Sequence, residues 1–308
     1  MKKILGIGFA AVLLLAVLAG CGAKTPDTSA TPGATASASP STGAEAGLPT
    51  GPITVISREE GSGTRGAFIE LLGIEKKDAD GKKVDYTTDA AEIANGTNLV
   101  MTSVAGNEKA IGYISLGSLN DTVKALQIDG ADATADNIIA GTYKVARPFN
   151  IATKGEVTGL AADFIKYIMS TEGQKIVTEN KYISEGSDGA YTASGMSGKI
   201  VVAGSSSVSP LMEKLIEGYT ALNTGATIEL QTSDSTTGMT SALEGICDIG
   251  MASRALKDSE LEKGLTPTVI AMDGIAVIVN NNNGLTGLKS EQVTAIYTGE
   301  VTEWSELG

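Results

Sequence analysis

The sequence predicts an α/β fold. Strand-like apolar runs alternate with helix-length segments from residue 53 to the end of the chain. Several of those runs close in a turn rich in Ser, Thr and Gly that opens directly into the next helix, the hand-over expected where parallel strands meet their crossover helices. The roughly 260 residues beyond residue 48 suffice for one large domain or two lobes, and no internal repeat interrupts them.

Taken in order, Lys2 and Lys3 precede an apolar run from Ile4 to Leu18, too short for a comfortable membrane span, so residues 1–20 read as a signal peptide. Leu18-Ala19-Gly20-Cys21 resembles a lipobox, which predicts lipidation of Cys21; an ordinary secretory signal with a chance cysteine is the alternative. Residues 21–49 are mostly Ala, Ser, Thr, Pro and Gly and read as a flexible linker. As a loose coil that tether reaches about 30 Å, which would hold the folded part near the extracytoplasmic face of the cell membrane. Strands are expected at 53–56, 111–115, 199–203, 226–231, 247–251 and 268–279, and helices at 64–72, 159–169, 172–179, 210–222, 236–244 and 290–297. Leu160, Phe164, Ile165 and Ile168 fall on one stripe of the second of these helices, and Leu211, Leu215, Ile216 and Tyr219 on one stripe of the fourth. Ser209 and Pro210 read as an N-cap followed by proline at the first helical position. The Gly/Ser-rich stretch 184–198 reads as an internal linker, and 280–284 as a turn.

Composition excludes several functions. The chain carries a formal net charge of −13, and loss of Lys2 and Lys3 with the leader leaves 21 cations against 36 anions. Such a surface does not attract nucleic acid or anionic lipid. The chain contains no histidine, which removes Ser-His-Asp and Cys-His catalysis and His-ligated zinc. No Ser-x-x-Lys occurs either. Asp78-Ala79-Asp80-Gly81 lacks the remaining ligands of a calcium loop and reads as a plain turn. With Cys21 lipidated only Cys247 remains, so no internal disulfide is expected. No enzyme activity, cofactor or metal is predicted.

Four strand ends share one chemistry. Ser57-Arg58-Glu59-Glu60-Gly61-Ser62-Gly63-Thr64 joins a strand to a helix and combines free helix-start N–H groups with a guanidinium fork suited to a tetrahedral oxyanion. Gly204-Ser205-Ser206-Ser207, Gln231-Thr232-Ser233-Asp234-Ser235 and Asp248 to Ser253-Arg254 end other strands in hydroxyls. Each alone is accounted for by helix capping; four together, without a nucleophile–base pair, point to a shared anion.

Gly198 to Leu215, Asp248 to Arg254, Asp273 to Asn280, Tyr297 to Trp304, Ser57 to Phe68 and Ala110 to Ser115 together resemble the substrate-binding lipoproteins of phosphate-specific ABC transporters. These are members of the two-lobed periplasmic-binding-protein fold, and the resemblance covers nearly everything from residue 50 onward. It implies a monomeric receptor that binds inorganic phosphate in a cleft between lobes and delivers it to an ABC permease. The order of segments differs from the family: the segment at 198–215 opens the family's mature domain, and the one around Arg58 follows the one around Trp304. This resembles a circular permutation with the old ends joined through 184–198; a fragment or misjoined product is the alternative. The family layout implies a discontinuous lobe of 50–145 plus 279–308, a continuous lobe of 146–278, and a hinge at two crossovers near 145–150 and 275–280. The implied phosphate-binding residues are Ser206, Ser207 and Ser235 as donors, Arg58 as clamp, Glu60 as its orienting carboxylate, and Ser62, Gly63 and Thr64 as helix-start donors, with Ser253 and Arg254 beside them. Some family members carry an Asp where this chain has Ser253-Arg254, which leaves selectivity against another oxyanion such as sulfate open. The other reading is a degenerate or repurposed surface lipoprotein serving sensing or adhesion.

Overall fold

A computed structural model describes residues 47–307. The expected signal peptide, the lipidation of Cys21 and most of the 21–49 linker therefore lie outside the described residues.

Strand β1 (Thr54–Arg58) runs through a short loop into helix α1 (Gly63–Leu71). A hairpin follows, β2 (Glu75–Lys77) and β3 (Lys83–Asp85), whose turn is closed by Asp78 Oδ1 accepting the N–H groups of Asp80 and Lys82. Next come β4 (Glu92–Ala94), α2 (Thr97–Ala105) and β5 (Ala110–Ser115). Two short strands, β6 (Lys124–Ala125) and β7 (Gln127–Ile128), precede α3 (Ala135–Ile139) and the long β8 (Ala146–Lys154). The second part of the chain holds α4 (Gly159–Ile168), α5 (Thr171–Glu179), β9 (Gly198–Ser205), α6 (Ser209–Leu222), β10 (Ala226–Ser233), α7 (Ser235–Glu244) and β11 (Ile249–Ala252). It closes with α8 (Asp258–Leu261), β12 (Leu265–Val279), β13 (Gly287–Leu288) and α9 (Ser290–Thr298).

The principal sheet has nine strands in the order β10-β9-β11-β8-β12-β5-β1-β4, with β6 added on β12. At one end β10, β9 and β11 are parallel, at the other β5, β1 and β4 are parallel, and antiparallel β8 and β12 join them. Two main hydrophobic cores flank that join. One gathers Phe149, Phe164, Leu211, Leu215, Tyr219 and Ile270; the other gathers Phe68, Tyr113, Ile275, Val277, Tyr297 and Trp304. Strand β12 contributes to both: residues 265–274 pair with β8, and residues 275–279 pair with β5. In parallel α/β sheets ligand sites form outside the carboxyl ends of the strands, and the loops after β1, β4, β9 and β10 lie there.

The structure adds two longer elements and corrects one expectation. Strand β8 and helix α2 were not foreseen; β8 is central and β-paired on both edges. Ser209 is the first residue of α6 rather than its cap, and its hydroxyl donates back to the Ser205 carbonyl at 3.2 Å. The 184–198 stretch, expected as an internal linker, carries no helix or strand before Gly198 and is anchored: Tyr191 is buried, its hydroxyl donates to Asp163 at 2.6 Å, and its N–H donates to Glu172 at 2.7 Å. Asp163 also accepts from Ser194 and Tyr219 at 2.6 and 2.7 Å. Partial burial works against its charge, but these three hydroxyls hold its carboxyl below the ordinary value.

Candidate anion-binding site

Arg58, the last residue of β1, is the centre of the site. Its backbone is fixed from below: the Tyr113 hydroxyl accepts the Arg58 N–H at 3.2 Å and bonds the Ser57 hydroxyl at 2.9 Å, while the Tyr113 ring stacks on Phe68 of α1 at 3.9 Å. The guanidinium is 1% exposed. Nε and Nη2 donate to the two oxygens of Glu59 at 2.8 and 2.7 Å, and Nη2 also donates to Ser206 Oγ at 3.2 Å. Nη1 is buried with no hydrogen-bond partner among the described residues. Burial raises the Glu59 carboxyl, but the hydrogen bond and charge of Arg58 outweigh it and hold the group below its ordinary value.

Here the sequence expectation for Glu60 fails. Glu60 is exposed and faces an outer hollow with Arg65 and Lys257, whereas Glu59 grips the arginine. Arg254 is also corrected. Its Nη1 and Nη2 both donate to Glu260, each at 2.8 Å, so its fork is filled by a protein carboxylate rather than turned to the serine cluster.

The remaining expected residues do meet. Ser62 caps α1 by accepting the Arg65 N–H at 3.3 Å, which leaves its own O–H to donate. Thr64 bonds Ser207 at 2.7 Å. Ser253 receives the Ser205 hydroxyl at 2.9 Å, and its N–H donates to Ser235 Oγ at 3.1 Å. Gly63 brings the two groups into register: a Cβ there would lie 2.3 Å from Ser235 Oγ and 2.8 Å from Ser253 Oγ, so only glycine lets α1 start against those serines. The seam is extended by the N–H and hydroxyl of Thr236, both donating to the Gly61 carbonyl at 3.2 Å. A cavity of about 480 Å³ opens beside it, lined in part by Glu59, Gly96, Ser206 and Asp234.

Three participants escaped the sequence reading: Glu59, Gly96 and Thr97. The Gly96 N–H donates to Glu59 Oε2 at 3.1 Å, and the buried Thr97 hydroxyl lies 3.4 and 3.3 Å from Ser206 Oγ and Ser207 Oγ. A glycine followed by Thr, as at Gly63-Thr64, occurs again at Gly96-Thr97, but also at Gly141-Thr142, so the pair alone did not single this helix out. Chemically, the site gathers hydroxyls, helix-start N–H groups and one spare guanidinium edge. Those are donors, and their complement is an oxyanion.

Comparison with known proteins gives the family. A model of the PBP superfamily domain matches residues 34–172 and 189–308. A Streptococcus agalactiae serotype V relative named phosphate-binding protein PstS 2 is 54% identical over 258 residues, covering 83% of this chain and 88% of its own. A solved Streptococcus pneumoniae structure, described as a phosphate-binding protein of a phosphate ABC transporter, is 47% identical, covers 84% of this chain and 100% of that one, and superposes with a TM-score of 0.66. A Bacillus subtilis relative named phosphate-binding protein PstS is 37% identical but aligns over 42% of this chain and 41% of its own.

Proposed function

The chain belongs to the PBP superfamily, and from that premise we propose that it captures inorganic phosphate outside the cytoplasm and delivers it to the ABC permease of a phosphate-uptake system. The observation that carries this reading is the buried Arg58, whose Nη1 edge is free where hydroxyl-tipped helix starts from both ends of the sheet converge. Phosphate would accept from Arg58, the Ser62–Thr64 helix start, Ser206, Ser207, Ser235 and Ser253. Micromolar binding requires about −8 kcal/mol, which several charge-assisted hydrogen bonds of about 1.5–3 kcal/mol each supply. Glu59, tied through Arg58 Nη2 to Ser206, is the carboxylate suited to accept the proton of hydrogen phosphate and so to disfavour sulfate.

The receptor is further proposed to be a monomer tethered through lipid on Cys21, with lobes of 50–145 plus 279–308 and 146–278 moving about the β8–β12 crossover. The separation of the two cores along β12 supports that division. Circular permutation is supported by two observations. Residues 302–304 run beside 51–53, with the Ile53 N–H donating to the Thr302 carbonyl at 2.7 Å and that of Trp304 to Gly51 at 3.3 Å. The Streptococcus agalactiae relative aligns along nearly its whole length, whereas the Bacillus subtilis relative aligns along less than half, as a linear alignment across permuted orders would.

The test is a thermal and calorimetric titration of the folded protein with phosphate and with sulfate. Phosphate is expected to raise the melting temperature, sulfate to do little, and Arg58→Ala to abolish the shift. An equal response to both anions overturns phosphate selectivity; no response to either overturns the reading and favours a repurposed surface protein.

A further inference from the structure

We propose that helix α2 is a further arm of the anion clamp, with the Thr97 hydroxyl and the first-turn N–H groups of α2 donating directly to the bound oxyanion; this rests on the phosphate-binding reading above. The topology already aims α2 at the site. Strand β4 lies parallel to β1 with Ala94 opposite Arg58, so the loop after β4 emerges beside the loop after β1. Each loop opens a nine-residue helix at a Gly-Thr pair, Gly63-Thr64 as the first two residues of α1 and Gly96-Thr97 as the N-cap and first residue of α2. Gly96 takes φ 89°, a conformation that favours glycine, and no side chain caps α2. Its first-turn N–H groups therefore carry the partial positive charge of an uncapped helix start.

Independent observations point to a ligand there. The Thr97 hydroxyl is buried, and both of its partners lie at 3.3–3.4 Å, beyond the 2.5–3.0 Å of a well-made O–H···O bond. One of those partners, Ser206, is held by Arg58, whose buried Nη1 is unpartnered. Glu59 bonds the arginine and the Gly96 N–H together, so one carboxylate orients both the cation and the start of α2. The charge pattern agrees. In a chain with 36 acidic residues, helices α1, α2, α6 and α7 have none in the first turn. Of the other five described helices, α3, α5, α8 and α9 each have at least one, and α4, away from the site, has none. An acidic first turn stabilises an ordinary helix but repels a bound anion, and α2 follows the pattern of the three helices already assigned to the site.

Calorimetric titration with inorganic phosphate tests this on Thr97→Val, which removes the hydroxyl at nearly constant volume, with Thr97→Ser and the exposed Thr102→Val for comparison. Thr97→Val is expected to weaken binding at least tenfold, while Thr97→Ser and Thr102→Val stay within about threefold of wild type. Should Thr97→Val fail to fold, ¹⁵N-labelled wild-type protein gives the same answer: the amide resonances of Thr97 and Asn98 are expected to move on phosphate addition together with those of Gly63 and Thr64. Unmoved Thr97 and Asn98 amides beside moving Gly63 and Thr64, or wild-type affinity in folded Thr97→Val, overturn the role of α2 and leave the phosphate site standing. Wild-type phosphate affinity in Arg58→Ala overturns the site itself.

Discussion

Glu59 and Glu60 are chemically the same side chain one position apart, and they end in opposite surroundings. Glu59 turns onto the Arg58 fork and the Gly96 N–H, whereas Glu60 points to solvent. Glu59→Gln is therefore expected to weaken phosphate binding about tenfold or more, because the arginine loses a charge-assisted bidentate partner worth about 1.5–3 kcal/mol. Glu60→Gln should leave the affinity unchanged, and phosphate titration of the two variants checks the contrast. Much of the candidate site's grouping was legible at this scale: Arg58, Ser62, Gly63, Thr64, Ser206, Ser207, Ser235 and Ser253, which the structure brings together, stand in strand-end segments singled out by residue type. The choice between two neighbouring carboxylates was not legible, since it depends on the direction in which the chain leaves β1. Arg254 was misread for a related reason. Its Glu260 partner lies six residues on, across a turn and within a short helix that the sequence did not reveal.

At the scale of elements, the strand-end turns were read well because Ser, Gly and Pro mark them. Strand β8 was missed because Arg147, Pro148 and Asn150 interrupt its apolar run, although Phe149, Ile151 and Ala152 are buried. Helix α2 was missed because Thr97, Val100, Thr102 and Val104 make it rich in β-branched residues, which favour strands, while its buried Val100 and Val104 are too few to impose a helical period. Strands β8 and β12 also carry a buried ion pair, with Arg147 opposite Asp273 and Nη2 to Oδ2 at 3.0 Å. Burial pushes the Asp273 carboxyl up to about 6, against the opposing pull of Arg147 and its hydrogen-bonding neighbours. Because the folded state holds this proton more tightly than the unfolded chain, the contribution of Asp273 is full below about pH 4 and is lost as the pH rises through about 6. That amounts to roughly 2–3 kcal/mol. Asp273→Asn removes the titration, so the stability difference between wild type and variant is expected to shrink as the pH rises from 4 to 7. Urea denaturation across that range checks this; a difference that grows with pH contradicts it.

For the whole molecule, the α/β class was legible from alternation alone. The manner in which 184–198 is secured was not. Its Gly and Ser residues look like those of any linker, and only Asp163, distant in sequence, reveals that Tyr191 and Ser194 pin it. That anchoring holds the chain down as it crosses from α5 to β9.

Strand β12 is a single fifteen-residue strand whose first two thirds pair with β8 and whose remainder pairs with β5, so that it enters both main cores. A strand cannot melt at one end and keep its ladder intact at the other without exposing the residues at the boundary, so neither core has a private unfolding transition. Differential scanning calorimetry is expected to show one endotherm whose calorimetric and van't Hoff enthalpies agree; two resolved peaks would contradict this. Heat would then dismantle both cores at once, although they lie apart along that strand.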